Sequence, residues 1–443
     1  MAPSMALFMA RPPSWLTVVL NRRMLVCIFT GFASGLPLYL LLNLVPAWLH
    51  TEGLGLGAIG AFALIQFPYT WKFLWAPLLD RYGLLPWLGR RRSWMIVSQL
   101  GLLAAIAWLG RLSPVDHLWL VIGLTATLAF LAATQDIALD AFRREILPDH
   151  ELGLGNAIHV NAYRIAGLVP GSLSLILADH LPWSQVFFIT ALFMLPGIAM
   201  TLLVREPALA PGSPRTLRAA VVEPFREFFG RHGVRSALIV LLFIFLYKLG
   251  DSLATALATP FYLSMGYSMT DIGIVAKNAG LWPMVIGGIL GGIWMIRLGI
   301  NRALWVFGVV QLITILGFVW LAWMGPAPSD FQRLLMLAVV ITGDALGTGL
   351  GTTAFVAYMA RTTHPAYTAT QLALFTSLMA MPRTFINASA GWLVQHVGWL
   401  EFFWLCFFLA LPGMLLLLRV APWNGSTQDH GFVSDPARSQ DAP

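Results

Sequence analysis

Charge is scarce in this chain. Only 11% of its 443 residues are Asp, Glu, Lys or Arg, against about a quarter in soluble domains, which excludes an ordinary water-soluble fold. Cysteine is scarcer still: Cys27 and Cys406 stand alone in separate apolar runs, which excludes a disulfide framework or a cysteine-based metal site. No phosphate-binding glycine loop, zinc spacing or nucleophile elbow is present, so ATP-driven pumping within the chain is set aside and no catalytic set converges. No cleavable leader is expected either. Arg11, Arg22 and Arg23 precede an apolar run that is too long and lacks a convincing cleavage site, so it reads as an uncleaved first helix. The formal charge of +7 does not mark a nucleic-acid protein, because the basic residues are not gathered on one soluble face.

What is present is hydrophobic residue, 58% of the chain, at a mean hydropathy of +0.75. About 20 apolar residues cross a bilayer as a helix. Spans are predicted near 24–49, 57–78, 94–110, 117–141, 155–178 and 183–204, then near 235–263, 272–297, 302–323, 333–359, 367–391 and 399–420. The expectation is an all-α polytopic membrane protein with 12 transmembrane helices in two six-helix parallel repeats. The predicted divisions are a cytoplasmic N-terminal segment 1–23, a first bundle 24–204, a cytoplasmic linker 205–234, a second bundle 235–420 and a disordered polar tail 421–443. Leu217, Val221, Phe225 and Phe228 recur at helical spacing in the linker, among Arg218, Glu223, Arg226 and Glu227. That pattern predicts an amphipathic surface helix over 217–229. With these limits the loop arginines fall almost entirely on one side, and only Arg111 and Arg333 fall on the other. The positive-inside rule therefore predicts that both termini are cytoplasmic.

Internal repetition supports the two halves. Trp183 followed by Leu195-Pro196-Gly197 recurs as Trp399 followed by Leu411-Pro412-Gly413, and Arg164 in the fifth span corresponds to Arg383 in the eleventh. Ile59-Gly60 and Ile272-Gly273 likewise open the second and eighth spans. Parallel repeats with a site between them are the major facilitator arrangement.

Five cations, Lys72, Arg164, Lys248, Lys277 and Arg383, lie inside predicted spans, with Asp136, Asp140, Asp251 and Asp344 at similar depth. A cation in hydrocarbon costs at least about 2.5–3.5 kcal/mol on insertion scales, so such residues face protein or a wet cavity. Lys72, Arg164, Lys277 and Arg383 form a candidate cationic floor for an anionic solute, with Gln66, Tyr69, Tyr163, Asn161, Asn278 and Asn387 adding hydrogen-bonding capacity. Asp136 and Asp140 are one helical turn apart and share a face. Either they carry a proton or they tie electrostatically to Arg143, Arg144 or Arg164; Asp140, near the span's end, suits the tie. Asp251 lies three residues from Lys248, which suits local pairing, and Asp344 has no opposite charge nearby in sequence. Asp136, Asp344 and Asp251 are the proton-coupling candidates. The loop Asp80-Arg81-Tyr82-Gly83 with Gly89-Arg90-Arg91-Arg92 suits a gate that locks helix ends, or simple charge anchoring. Asp80, Arg81, Arg90, Asp140 and Arg143 are the gating candidates.

Several segments carry a resemblance: Gly31-Phe32-Ala33-Ser34-Gly35-Leu36-Pro37, the run Lys72-Phe73-Leu74-Trp75-Ala76-Pro77-Leu78-Leu79-Asp80-Arg81, Gln135-Asp136-Ile137-Ala138, Tyr163-Arg164, Gly250-Asp251, Asp271-Ile272-Gly273, Gly351-Thr352 and Ala369-Thr370-Gln371. Across roughly residues 25–420 the chain resembles the AmpG muropeptide permease family of the major facilitator superfamily. The resemblance implies a monomeric bacterial inner-membrane permease that imports GlcNAc-1,6-anhydro-MurNAc and its peptide derivatives for cell-wall recycling. It also implies dependence on the proton gradient, with no other cofactor, and a link to β-lactamase induction. Where the family has a Glu-Asn pair in the tenth span, this chain has Gly343-Asp344, an acid displaced by about 100° around the helix. The Lys-Phe-x-Trp-Ala-Pro pattern is shared with acetyl-CoA transporters, which leaves an acetyl-CoA-like or other organic-anion substrate as the alternative. A membrane sensor is the non-transport alternative.

Overall fold

A computed structural model describes residues 21–54, 67–208, 211–267, 275, 277–325, 330–381 and 387–424. The first half supplies α1 (Arg22–Thr51), α2 (Phe67–Trp71), α3 (Ala76–Arg81), α4 (Arg90–Leu109), α5 (Leu118–Ile146), α6 (Leu152–Ala178) and α7 (Trp183–Leu203). The second supplies α8 (Leu217–Leu246), α9 (Leu249–Ala256), α10 (Ala258–Ser264), α11 (Lys277–Met324), α12 (Asp330–Thr362), α13 (Thr368–Met381), α14 (Asn387–Val397) and α15 (Trp399–Val420). The described residues contain no strand.

Nine helices among the described residues are long and apolar enough to cross a membrane, fewer than the twelve expected. Two points bear on the difference. The 48-residue α11 would reach about 72 Å if straight, more than twice a hydrocarbon core of about 30 Å. It turns instead at Gly299, whose φ of 72° suits a residue without Cβ, and so forms two helices. The expected second and eleventh spans fall partly on 55–66 and 382–386, outside the described residues.

The halves repeat one packing device. Gly197 of α7 sits where a Cβ would lie 2.8 Å from the Cβ of Ala33 in α1, and Gly413 of α15 where it would lie 2.8 Å from the Cα of Tyr247 at the end of α8. The Leu-Pro-Gly triplets thus bring the last helix of each half against its first. Within α1, Pro37 cannot donate to the Ala33 carbonyl. The Gln135 side chain of α5 donates there instead, at 2.6 Å, and a wider turn over Leu40–Leu44 follows.

The buried clusters show how the halves meet. Near one end, Leu36, Trp48, Leu109 and Phe187 pack within the first half, while Phe261, Phe318, Phe402 and Phe403 pack within the second. At the arginine-rich end the core is shared. Met24, Cys27 and Leu152 join Met295, Tyr358 and Phe375, and Ala76 and Ile137 join Ala369 and Ala373. The two bundles are therefore closed on each other at the arginine-rich end.

The linker helix begins at Leu217, where the Thr216 hydroxyl accepts from Ala219 N at 3.1 Å. The face it docks on the bundle is not the apolar stripe. Phe228 is buried, but Leu217, Val221 and Phe225 are 41%, 44% and 38% exposed. The docked side carries Ala220 and Phe228 with the polar Glu223 and Glu227, because Tyr367 and Gln371 offer those carboxylates donors at 2.9 and 2.8 Å.

Candidate functional site

Lys72 sits in a single tight turn, Lys72–Leu74, between α2 and α3, and is 4% exposed. Its ammonium lies 2.5 Å from Asp136 and 3.9 Å from Asp140. The one-turn spacing on α5 lets a single cation bridge both carboxylates. Asp136 also accepts from the Ser34 hydroxyl. Asp140 is held by Arg143 at 2.8 Å, and His159 stands 3.9 Å away. The opposite ring nitrogen of that histidine meets the Thr30 hydroxyl at 3.1 Å. Asp140 is thus a tied residue. Asp136 is tied as well, to a lysine that two acids compete for.

The second half has a matching cluster. Lys248 lies 3.3 Å from Asp251, whose other oxygen accepts from Thr348 at 3.0 Å. Asp344, 8% exposed, interacts electrostatically with Lys248 and Asp251, yet its Oδ1 is buried with no hydrogen-bond partner among the described residues. Such an oxygen forfeits roughly 1–3 kcal/mol of hydration.

Between the clusters the halves touch through α6 and α11. Arg164 donates to the Met284 carbonyl at 3.3 Å and lies within electrostatic reach of Asp251. Asn161 is 3% exposed and neither of its amide atoms has a partner among the described residues. The amide is pressed so close to Gly288 that a Cβ there would lie 2.6 Å from Nδ2. Tyr69 also buries a hydroxyl with no hydrogen-bond partner among the described residues. Tyr163 packs its ring 5.5 Å from that of Tyr39, and Asn278 is exposed in the first turn of α11. Gln66 and Arg383 lie outside the described residues, as do the side chains of Lys277 and Asn387, so the pairing of Arg164 with Arg383 is not among the described contacts.

The gating candidates resolve differently. Asp80 is 1% exposed and pairs with Arg91 at 2.7 Å. It also crosses to the second half, where it accepts from Ala369 N at 3.2 Å, Thr370 N at 2.8 Å and the Thr370 hydroxyl at 2.6 Å. A carboxylate on free amides at a helix N-terminus is favoured by both hydrogen bonding and the dipole. Arg90 donates to the Asp80 carbonyl at 2.6 Å and lies 3.6 Å from Glu145. Arg81 instead places its guanidinium 5.0 Å over the Tyr82 ring. The buried partner is Arg91, fully inaccessible, which also meets Glu145 at 2.6 Å. The gating candidates read from the sequence included Arg90 but not Arg91, because three consecutive arginines do not reveal which one turns inward. Glu145, Glu206 and Thr370 were missed as well. Glu206 accepts from the Arg91 and Arg92 amides at 2.7 and 3.0 Å, which caps α4. A second link joins the halves where Arg144 donates to the Ala360 carbonyl at 2.7 Å.

Helices of membrane-crossing length, two bundles and buried charge on both sides of their interface define a polytopic permease rather than an enzyme. The comparisons agree. The Major Facilitator Superfamily model matches residues 27–380. The Anhydromuropeptide permease of Escherichia coli K12 is 40% identical over 91% of this chain and 81% of its own length. An uncharacterized Haemophilus influenzae protein is 53% identical over 91% and 96%, and the Rickettsia conorii transporter AmpG 4 is 33% identical over 88% and 94%. Among solved structures, the human organic anion transporter MFSD10 superposes with a TM-score of 0.67 at 17% identity, covering 89% of this chain and 99% of its own. The proton:xylose symporter XylE superposes with a TM-score of 0.64 at 13% identity, covering 93% and 97%. These two show the fold alone. The chain belongs to the Major Facilitator Superfamily and, within it, to the AmpG permease family, whose place is the inner membrane.

Proposed function

We propose that this protein carries GlcNAc-1,6-anhydro-MurNAc and its peptide derivatives from periplasm to cytoplasm by proton symport and alternating access. What carries the reading is the extent of identity with the Escherichia coli relative named Anhydromuropeptide permease. In this orientation the arginine-rich end, and with it both termini, is cytoplasmic. The closed arginine-rich end then corresponds to a carrier sealed on its cytoplasmic side.

The sugar acetamido groups and the peptide carboxylates need donors and acceptors on both halves. Arg164, Asn161 and Tyr69 offer them beside the inter-bundle contact, and the unmatched amide of Asn161 suits an acetamido or hydroxyl group. Lys277, Arg383, Gln66, Tyr163, Asn278 and Asn387 complete the proposed binding set. Asp344, with an unpartnered buried oxygen and a neighbouring acid in Asp251, is the proposed proton carrier. Asp136, held by Lys72, releases its lysine when protonated. No cofactor beyond the proton gradient is required, and the functional unit is a monomer in the bilayer.

The test is uptake of labelled anhydro-disaccharide into proteoliposomes under an imposed inward proton gradient. Uptake that rises with the gradient and is competed by unlabelled muropeptides is expected. Indifference to the gradient removes symport, and failure of muropeptides to compete removes the substrate.

A further inference from the structure

A separate feature of the arginine-rich end lies wholly on the linker helix and the second half. A cavity of about 470 Å³ is lined by Arg231, Arg235, Arg361 and Arg419, with Tyr358 and the apolar side chains of Val240 and Val420. No carboxylate among the described residues lines it. Four guanidiniums held this close repel one another and load the folded state with unfavourable energy unless an anion joins them. The protein supplies little of that anion. Arg231 pairs with Glu227 at 3.1 Å and donates to the Thr362 carbonyl at 2.9 Å. Arg361 donates to Asn301, a neutral acceptor, and lies 5.8 Å over the Tyr358 ring. Asp149, the other acid within reach of Arg361, is already taken by Arg144 at 3.1 Å. Arg235 and Arg419 are exposed, and no described residue accepts a hydrogen bond from either.

Planar guanidinium forks on several sides of one cavity match the tetrahedral oxygens of phosphate. Location then selects the bearer of that phosphate. The cavity lies among the ends of membrane-crossing helices. The helices that supply Arg235 and Arg419 also turn apolar side chains outward: Leu238 is 53% exposed, Leu242 47%, Leu415 64% and Leu418 64%. A molecule with its phosphate among the arginines would have its apolar part along those leucines. We propose that this cavity binds the phosphate headgroup of an anionic membrane phospholipid.

The site also has a structural consequence. Arg231 and Arg235 stand on opposite sides of Gly233, where the chain turns with φ 71° from the linker helix into the membrane-crossing segment. One phosphate between them ties the linker helix to α12 and α15. Through Glu223 and Glu227 that helix holds Tyr367 and Gln371 beside the first turn of α13.

The full-length protein in a neutral detergent, titrated with phosphatidylglycerol and read by native mass spectrometry and thermal melting, tests the assignment. The wild type is expected to bind phosphatidylglycerol in preference to phosphatidylcholine and to melt at a higher temperature with it. Arg235→Gln/Arg419→Gln is expected to bind about thirtyfold more weakly, since a basic residue near an anionic membrane surface contributes roughly fivefold. Arg111→Gln, the same charge change at the opposite end, is expected to leave binding as it is. If the double variant gives poor membrane yield, Arg419→Gln alone decides, with a loss of about fivefold. Equal lipid binding in the wild type and either site variant overturns the proposal. So does stabilisation by inorganic phosphate or glycerol 3-phosphate as large as that by the lipid, because the occupant is then a soluble phosphate.

Discussion

Removing the Lys72 ammonium would leave the Asp136 carboxylate facing only a serine hydroxyl, whereas Asp140 would keep Arg143. Breaking a buried ion pair from one side costs roughly 3–5 kcal/mol, while replacing both partners by apolar groups is often neutral. Lys72→Ala should therefore lower the melting temperature of the purified protein sharply, and Lys72→Met/Asp136→Leu should recover most of it without recovering uptake. Recovery of uptake in the double variant would show that the pair is structural only. Asp344→Asn should behave in the opposite way. The carboxylate has an oxygen without a partner among the described residues, so its loss should leave stability equal or higher. Gradient-driven accumulation should disappear while exchange of labelled for unlabelled substrate persists; loss of exchange as well would place Asp344 in substrate binding. These residues were legible in the sequence, because charge within an apolar run is conspicuous. Their partners were less so. The pairing of Lys248 with Asp251 follows from spacing along one helix, but that of Lys72 with Asp136 joins positions 64 apart, and His159 and Ser34 look like ordinary helix residues until the bundle is assembled.

At the scale of the element, the first turn of α13 depends on a carboxylate from the other half. Asp80→Ala frees the amides of Ala369 and Thr370. Hydrogen bonds to a charged acceptor contribute roughly 1.5–3 kcal/mol, so exchange of those amides should speed up by about tenfold to a hundredfold. Unchanged protection in the hydrogen-exchange experiment would mean that the latch does not hold the helix. The linker helix has its own signature. Burial, the hydrogen bond to Glu223 and the charges of Glu223, Glu227 and Asp80 push the Tyr367 phenol up to about 12. The folded protein therefore holds this proton more tightly than the unfolded chain. The stability it contributes is complete below the usual phenol value of about 10 and is lost as pH climbs towards about 12. An alkaline absorbance titration of Tyr367→Phe should lack one of the phenols that ionise late in the wild type; loss of a phenol from the ordinary range near 10 instead would contradict the contact. The crossing helices were readable from hydropathy alone. The face by which the linker helix meets the bundle was not, because it is held by polar partners more than 100 residues away.

For the whole molecule, the two-bundle plan was written in repeated landmarks, and Gly197 and Gly413 show why those landmarks persist: each sits where another side chain would force two helices apart. Which end is closed was not readable, since hydropathy and charge bias say nothing about how the bundles lean. The shared core, the Asp80 latch and the bond from Arg144 to the Ala360 carbonyl all lie at the arginine-rich end. Closure there is the state from which a carrier must rock. Spin-label distances across the two halves, taken at both ends of the protein in nanodiscs with and without anhydro-disaccharide, test this most directly. The account predicts a second population with the arginine-rich end farther apart and the opposite end closer together, growing with substrate and with Asp80→Ala. Distances that stay single and fixed at both ends under all conditions would contradict it.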